Sequence, residues 1–138
     1  MKMHQQAVEV APRKRGLHDV TAEVQRAVRA SGIRGGMCNV FLRHTSASLL
    51  IQENADPAVL RDLQRWAERL APENADYEHD AEGPDDMPSH LRAAMTRTAE
   101  NIPVAGGEMA LGTWQALYLW EHRSAPHRRQ LLVTVWGD

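Results

Sequence analysis

The sequence predicts an α+β protein, a largely antiparallel sheet system carrying a few helices. Three observations lead there. Several runs alternate apolar and polar residues, as half-buried strands do. Few stretches carry apolar residues at helical spacing. The strand-like runs cluster in the C-terminal third and are joined by short turns, which favours hairpins over parallel crossovers. With 138 residues, 43% of them hydrophobic and 25% charged, the chain reads as one domain spanning residues 1–138, with apolar material for a single core.

The first helix is read in "DVTAEVQRAVRASG": Asp19 or Thr21 can cap it, Val20, Val24, Ala27 and Val28 form its apolar stripe, and Gly32 follows its end. "MCNVFLRH" then alternates as a strand, with Cys38, Val40, Leu42 and His44 on one face. A second helix starts at the cap candidate Asp56 with Pro57 in first position, runs through Val59, Leu63, Trp66 and Leu70, and stops before Pro72. Residues 80–84 read as loop, and a short third helix is expected from near Pro88 through Met95. Ala105-Gly106-Gly107 separates "NIPV" from "EMALGTW" as a hairpin turn, and "QALYLWEHR" and "RQLLVTVW" are two further strands.

Composition removes several classes of function. A net charge of −2 gives no global pull towards nucleic acid or an anionic membrane. No run approaches the ~20 apolar residues of a membrane span, and the N-terminus lacks the apolar run of a signal peptide. Cys38 is the only cysteine, so no intrachain disulfide can form and a cytoplasmic setting is expected. Seven histidines are many for this length and hint at metal or acid–base chemistry.

Four groups of residues could carry that chemistry. His79 and His90 bracket an irregular acidic stretch, "HDAEGPDDMPSH"; neutral imidazoles are the commonest transition-metal ligands, with zinc the default ion. Their spacing of eleven forbids a shared helical turn, so a third ligand must come from elsewhere, and His44 at a strand end is a candidate. Asp80, Glu82, Asp85 and Asp86 could hold a hard ion such as magnesium, or simply be loop polarity, with Asp85 and Asp86 also able to cap the third helix. In "HTSAS", Ser46 and Ser48 suit anion binding better than nucleophilic attack, since no nucleophile elbow is present; ordinary turn capping is more common than either. Finally, Trp114 offers an aromatic face and Gln115 a polar partner for a planar ring. Glu121 and Arg123 share a strand face and could pair or bind a polar ligand; a surface salt bridge beside a core tryptophan is the commoner arrangement.

Four blocks taken together, "HTSASLLIQENADPAV", "HDAEGPDDMPSH", "IPVAGGEMALGTWQALYLWEHR" and "LLVTVWGD", closely resemble the YjbQ-like family over nearly the whole chain, from Arg15 to Gly137. The resemblance implies a mainly antiparallel, β-sandwich-like core with about three helices, assembled as a homotrimer with its site near a subunit boundary. It also implies a weak thiamine-phosphate synthase-like transferase activity that joins two phosphorylated precursors. On that reading His44, His79 and His90 hold a divalent metal, zinc or alternatively magnesium. Asp85, Asp86, Gln115, Glu121 and Arg123 are the recurrent polar positions around a small phosphorylated metabolite. Ser46, Ser48 and Arg123 would serve its diphosphate and Trp114 its ring, with Glu121 as base or orienter. The chain departs from the family pattern at Gln52-Glu53-Asn54 and at the loop Ser124-Ala125-Pro126-His127. Two alternatives stand beside the transferase: a zinc-dependent hydrolase or lyase using Glu82 or Glu121 as base, and a non-catalytic metal- or metabolite-binding trimer.

Overall fold

Where alternation is strong, it becomes sheet. In the computed structural model, which describes residues 1–138, Cys38, Val40 and Leu42 of β3 (Gly35–Leu42) lie opposite Val135, Val133 and Leu131 of β8 (Arg129–Gly137), and all six are buried. On its other side β8 pairs with β1 (Lys2–Val10), and β3 pairs with β5 (Ala99–Ala105). A short β6 (Glu108–Met109) closes the hairpin at Gly106-Gly107, where both glycines take positive φ, giving the order β1-β8-β3-β5-β6. A second sheet, β2-β7-β4, is built from β2 (Gly16–Asp19), β7 (Gln115–Glu121) and β4 (Ala47–Glu53). Every pairing is antiparallel, and the sheets curl into a half-barrel.

The core forms as Leu49, Leu117 and Leu119 of the smaller sheet join Val40, Leu131 and Val133 of the larger one and Val24, Ala27 and Val28 of α1 (Thr21–Ser31). Full burial of a Leu or Val stabilises by roughly 1.5–3 kcal/mol, so this cluster is the main source of stability. Glycine matters most at one crossing. Gly36 and Gly137 face each other with φ of 156° and 149°, and a Cβ on either would sit 2.0 Å from the opposite strand's backbone oxygen. No side chain fits between these strands.

The other face of the smaller sheet is covered by α2 (Pro57–Leu70) and α3 (Asp86–Met95). Asp56 caps α2 by accepting the Ala58 N–H, and Trp120 of β7 donates its indole N–H to Gln64 of α2 at 2.8 Å. Arg92 of α3 is fully buried and donates to the carbonyls of Ala67 and Ala71, at the C-terminal end of α2. The cation thus meets the partial negative charge of the helix end through Nε and Nη2, while its Nη1 is buried without a partner.

Four expectations shift. The strand of "MCNVFLRH" ends at Leu42, leaving His44 outside it. "EMALGTW" forms a strand only over Glu108–Met109. The third helix begins at Asp86, two residues before Pro88, because a proline is tolerated within the first turn. Asp85 sits at its N-cap position without a side-chain cap bond, since its carboxylate points elsewhere.

Candidate metal centre

The early start of α3 turns a presumed loop carboxylate into a helical residue. Asp86 and His90 become an i,i+4 pair, stacked on one face of the first turns. The irregular chain before the helix brings back His79, so that Asp86 Oδ2 lies 2.7 Å from His79 Nε2 and 3.1 Å from His90 Nε2. The three donor atoms lie within 4.8 Å of one another, and the two rings are 5.5 Å apart between centroids. Asp86 is buried, His90 partly covered and His79 half-exposed, so the group opens to solvent on one side. His79, but not the other two, also lines a cleft of about 340 Å³ with Tyr77, Asp80 and Met87.

The surroundings orient each donor. His90 Nδ1 is 2.9 Å from the Thr45 carbonyl, which can only accept, so Nδ1 carries the proton and Nε2 is left to face Asp86. In the neutral ring that nitrogen is a bare lone pair pointed at a carboxylate oxygen. The contact is favourable only when a proton or a cation lies between them. Asp86 Oδ1 is held by Arg123 Nη1 at 2.8 Å. The same guanidinium donates through Nε to Asp85 Oδ2 at 2.9 Å and through Nη2 to the Glu82 carbonyl at 3.0 Å. Asp85 Oδ2 also accepts the Ser124 N–H at 2.9 Å. One arginine therefore ties the loop, the helix start and the end of β7 together.

Charge states follow from these contacts. Burial alone would raise the Asp85 carboxyl, but Arg123 and the Ser124 N–H outweigh it and bring it to about 2. Burial likewise opposes ionisation of Asp86, and the His79 hydrogen bond with the charges of His90 and Arg123 overcomes it, leaving its pKa lowered. Asp86 in turn raises His79 above the usual imidazole value. Both carboxylates are anionic at neutral pH, as ligands and their supports must be.

The residues singled out in the sequence divide sharply. His79, His90, Asp86, Asp85 and Arg123 meet. His44 does not join them: its Nε2 accepts the Gln130 N–H at 2.8 Å, and the neighbouring Thr45 carbonyl is what that segment gives to the centre. Each of the three guanidinium nitrogens of Arg123 donates to the protein, to Asp85, Asp86 and the Glu82 carbonyl. Glu121 is fully buried in a two-point pair with Arg129, which also binds the Ser46 hydroxyl; neither Glu121 nor Ser46 faces a cavity. Ser48 is buried against His122 Nε2 at 2.8 Å. Gln115 starts the strand that Glu121 ends; its side chain accepts the Gly112 N–H, and Trp114 beside it is 65% exposed. Six residues of strand, about 20 Å, separate them from the centre's end of β7, so shared parity does not make a shared cavity.

One contributor escaped the sequence, and one pairing of residues that it had named. Thr45 acts through a backbone carbonyl, which no residue type advertises. The Asp86–His90 pairing was visible as Asp-x-x-x-His, and was hidden only by placing the helix start at Pro88.

Comparison with known proteins agrees with the fold. The family model described as UPF0047 protein YjbQ-like matches residues 6–138. A UPF0047 protein of Synechocystis is 49% identical over 138 residues, covering 99% of this chain and 94% of its own. The UPF0047 protein YjbQ of Escherichia coli O157:H7 is 39% identical over 136 residues, covering 98% of this chain and 99% of its own. A crystal structure of a YjbQ/UPF0047 family protein from Clostridium acetobutylicum superposes with a TM-score of 0.84 at 32% identity, covering 96% of this chain and 99% of that one. A structure from Sulfolobus solfataricus reaches 0.89 at 25% identity, covering 99% of each, and is described as a protein of unknown function. These findings overturn the thiamine-phosphate synthase-like function: the matching family is described by name alone, its solved members as uncharacterised or of unknown function, and none of them indicates that activity. The geometry agrees, since Ser46, Ser48 and Arg123 are committed inside the protein and Trp114 and Gln115 lie at the far end of β7. What the comparisons establish is kinship, and the chain belongs to the YjbQ (UPF0047) family.

Proposed function

We propose that this protein binds a divalent transition-metal ion through His79 Nε2, His90 Nε2 and Asp86 Oδ2, leaving one side of the ion open to an external ligand. One observation carries the reading: three ligand-type atoms, two on imidazoles and one on a carboxylate, point at a common centre within 4.8 Å of one another. Two nitrogens and one oxygen suit zinc, at about 2.0–2.1 Å, better than magnesium, which prefers oxygen and water. The supports have the form such centres require, with a carbonyl behind His90 and a guanidinium behind Asp86. When bound, the ion would supply Lewis acidity at its open position. Arg123 and Asp85 would hold the loop and helix start in register, and turnover would make the protein an enzyme.

A homotrimer fits the outer face of the larger sheet. Register places Met3, Trp136 and Met37 in one row there and Ala7, Leu132 and Phe41 in another, with Gln5, Thr134 and Asn39 between them. No helix packs on that face, and Met3 and Phe41 are exposed. A cytoplasmic setting suits the single free thiol; no helix is long and apolar enough to cross a membrane.

The test is calorimetric titration of the metal-free protein with zinc. One ion per chain is expected, and Asp86→Asn and His90→Ala should each lose most of that affinity. Equal binding by all three proteins would place the ion elsewhere and overturn the reading.

A further inference from the structure

Glu82 reaches the same nitrogen as Asp86. Its Oε2 lies 3.2 Å from His79 Nε2, the atom that meets Asp86 Oδ2 at 2.7 Å. Two carboxylates thus converge on one ring nitrogen that can carry one proton. Asp86 has Arg123 and His90 as further ion-pair partners, whereas the only ion pair of the Glu82 carboxylate is with His79.

Backbone and side chain of Glu82 are held very differently. Its carbonyl is fixed by Arg123 Nη2 at 3.0 Å. Gly83 follows with φ of 101°, a conformation open to glycine, and a Cβ there would crowd Asp85 Oδ1 at 3.2 Å. The side chain is 64% exposed. It stands just outside the trio of converged donors, on the solvent side beside His79. A fixed backbone with an exposed carboxylate at the open edge of the centre is what a displaceable ligand needs.

Charge points the same way. A divalent ion held by two neutral imidazoles and one carboxylate keeps a net charge of +1, and a second carboxylate cancels it. A tetrahedral centre with three protein ligands also has one place to fill. We propose that Glu82 is a displaceable fourth ligand: it closes the centre in the resting protein and swings away when a small carboxylate-type anion takes its place. This rests on the metal-centre reading above. It assigns the external ligand's chemical class, an anion that competes with a carboxylate like for like.

The experiment uses full-length protein loaded with cobalt(II), whose visible absorption reports its ligands, with acetate as the probe. Glu82→Ala and the nearly isosteric Glu82→Gln should still bind one cobalt per chain, about tenfold more weakly, with a shifted visible band. Acetate should bind at least about tenfold more tightly to the Ala variant than to the unaltered protein, because no internal carboxylate has to leave. Superimposable spectra and equal acetate affinities would overturn the role of Glu82 while leaving the metal centre intact. Failure of the unaltered protein to take up cobalt would instead bring down the metal centre itself, and this inference with it.

Discussion

Arg123 shows how one side chain can decide whether a site exists. It spans Asp85, Asp86 and the Glu82 carbonyl, which belong to the loop and the first turn of α3. Lysine has the charge but lacks the planar fork that makes these contacts together. Arg123→Lys should therefore fold, keep its secondary structure, and bind zinc roughly 10–100-fold more weakly, the usual cost of losing a supporting contact. Calorimetry beside circular dichroism checks this; unchanged zinc affinity would reduce Arg123 to a structural salt-bridge partner. The sequence placed Arg123 on a strand face beside Glu121, but β7 ends at Glu121 and Arg123 lies just beyond it. It could not reveal that all three guanidinium nitrogens bond within the protein, because donors are counted only once the chain is folded.

Among the elements, α3 binds the two halves of the account. Its first turn carries Asp86 and His90, and its last carries Arg92, which satisfies the C-terminal carbonyls of α2. Arg92→Leu would leave the Ala71 carbonyl without its partner in the interior, while Ala67 keeps the Ala71 N–H, at a cost of about 1–3 kcal/mol, with little effect on zinc affinity. Urea unfolding would show this as a lower midpoint; a stability within ~0.5 kcal/mol of the unaltered protein would contradict it. Gly36→Ala should be at least as damaging, since its methyl would meet the Trp136 carbonyl carbon and oxygen with no side chain able to yield.

Legibility followed the strength of the local signal. The Asp56–Pro57 start of α2, the Gly106-Gly107 turn and the alternating β3, β7 and β8 could all be read because capping, positive φ and a period of two are local. β1 was missed because its "KMHQQAVEV" is mostly polar, as befits a strand paired on one side. β4 was missed because both of its faces pack, which erases alternation in "ASLLIQE". His79 and His90 stood out by residue type, while the place of Asp86 beside them depended on where a helix begins.

For the molecule as a whole, acid stability depends on His122. The imidazole is fully buried between Ser48 and Trp120 with Nδ1 unpartnered. Burial first, and then the charges of Arg92, Arg129 and Arg15, lower its pKa to about 3 from 6.5. Between those values the unfolded chain binds a proton that the native chain refuses. Stability is therefore complete above pH 6.5 and falls as pH drops, by roughly 1.4 kcal/mol per unit from this one group. Asp85 adds a second loss as pH falls through about 4 towards 2, since its native carboxyl is held low by Arg123 and must be protonated. Unfolding at pH 7, 6 and 5 should show the first slope, and His122→Gln should flatten it. An identical slope in the variant would assign the acid sensitivity to other groups.

The central claim is the position of an ion, and a crystal of the full chain grown with zinc tests it most directly, with diffraction recorded on both sides of the zinc absorption edge. One anomalous peak per chain should appear about 2.0–2.1 Å from His79 Nε2, His90 Nε2 and an oxygen of Asp86. A peak at His44, or none at all with these three side chains still packed against one another, would contradict the account.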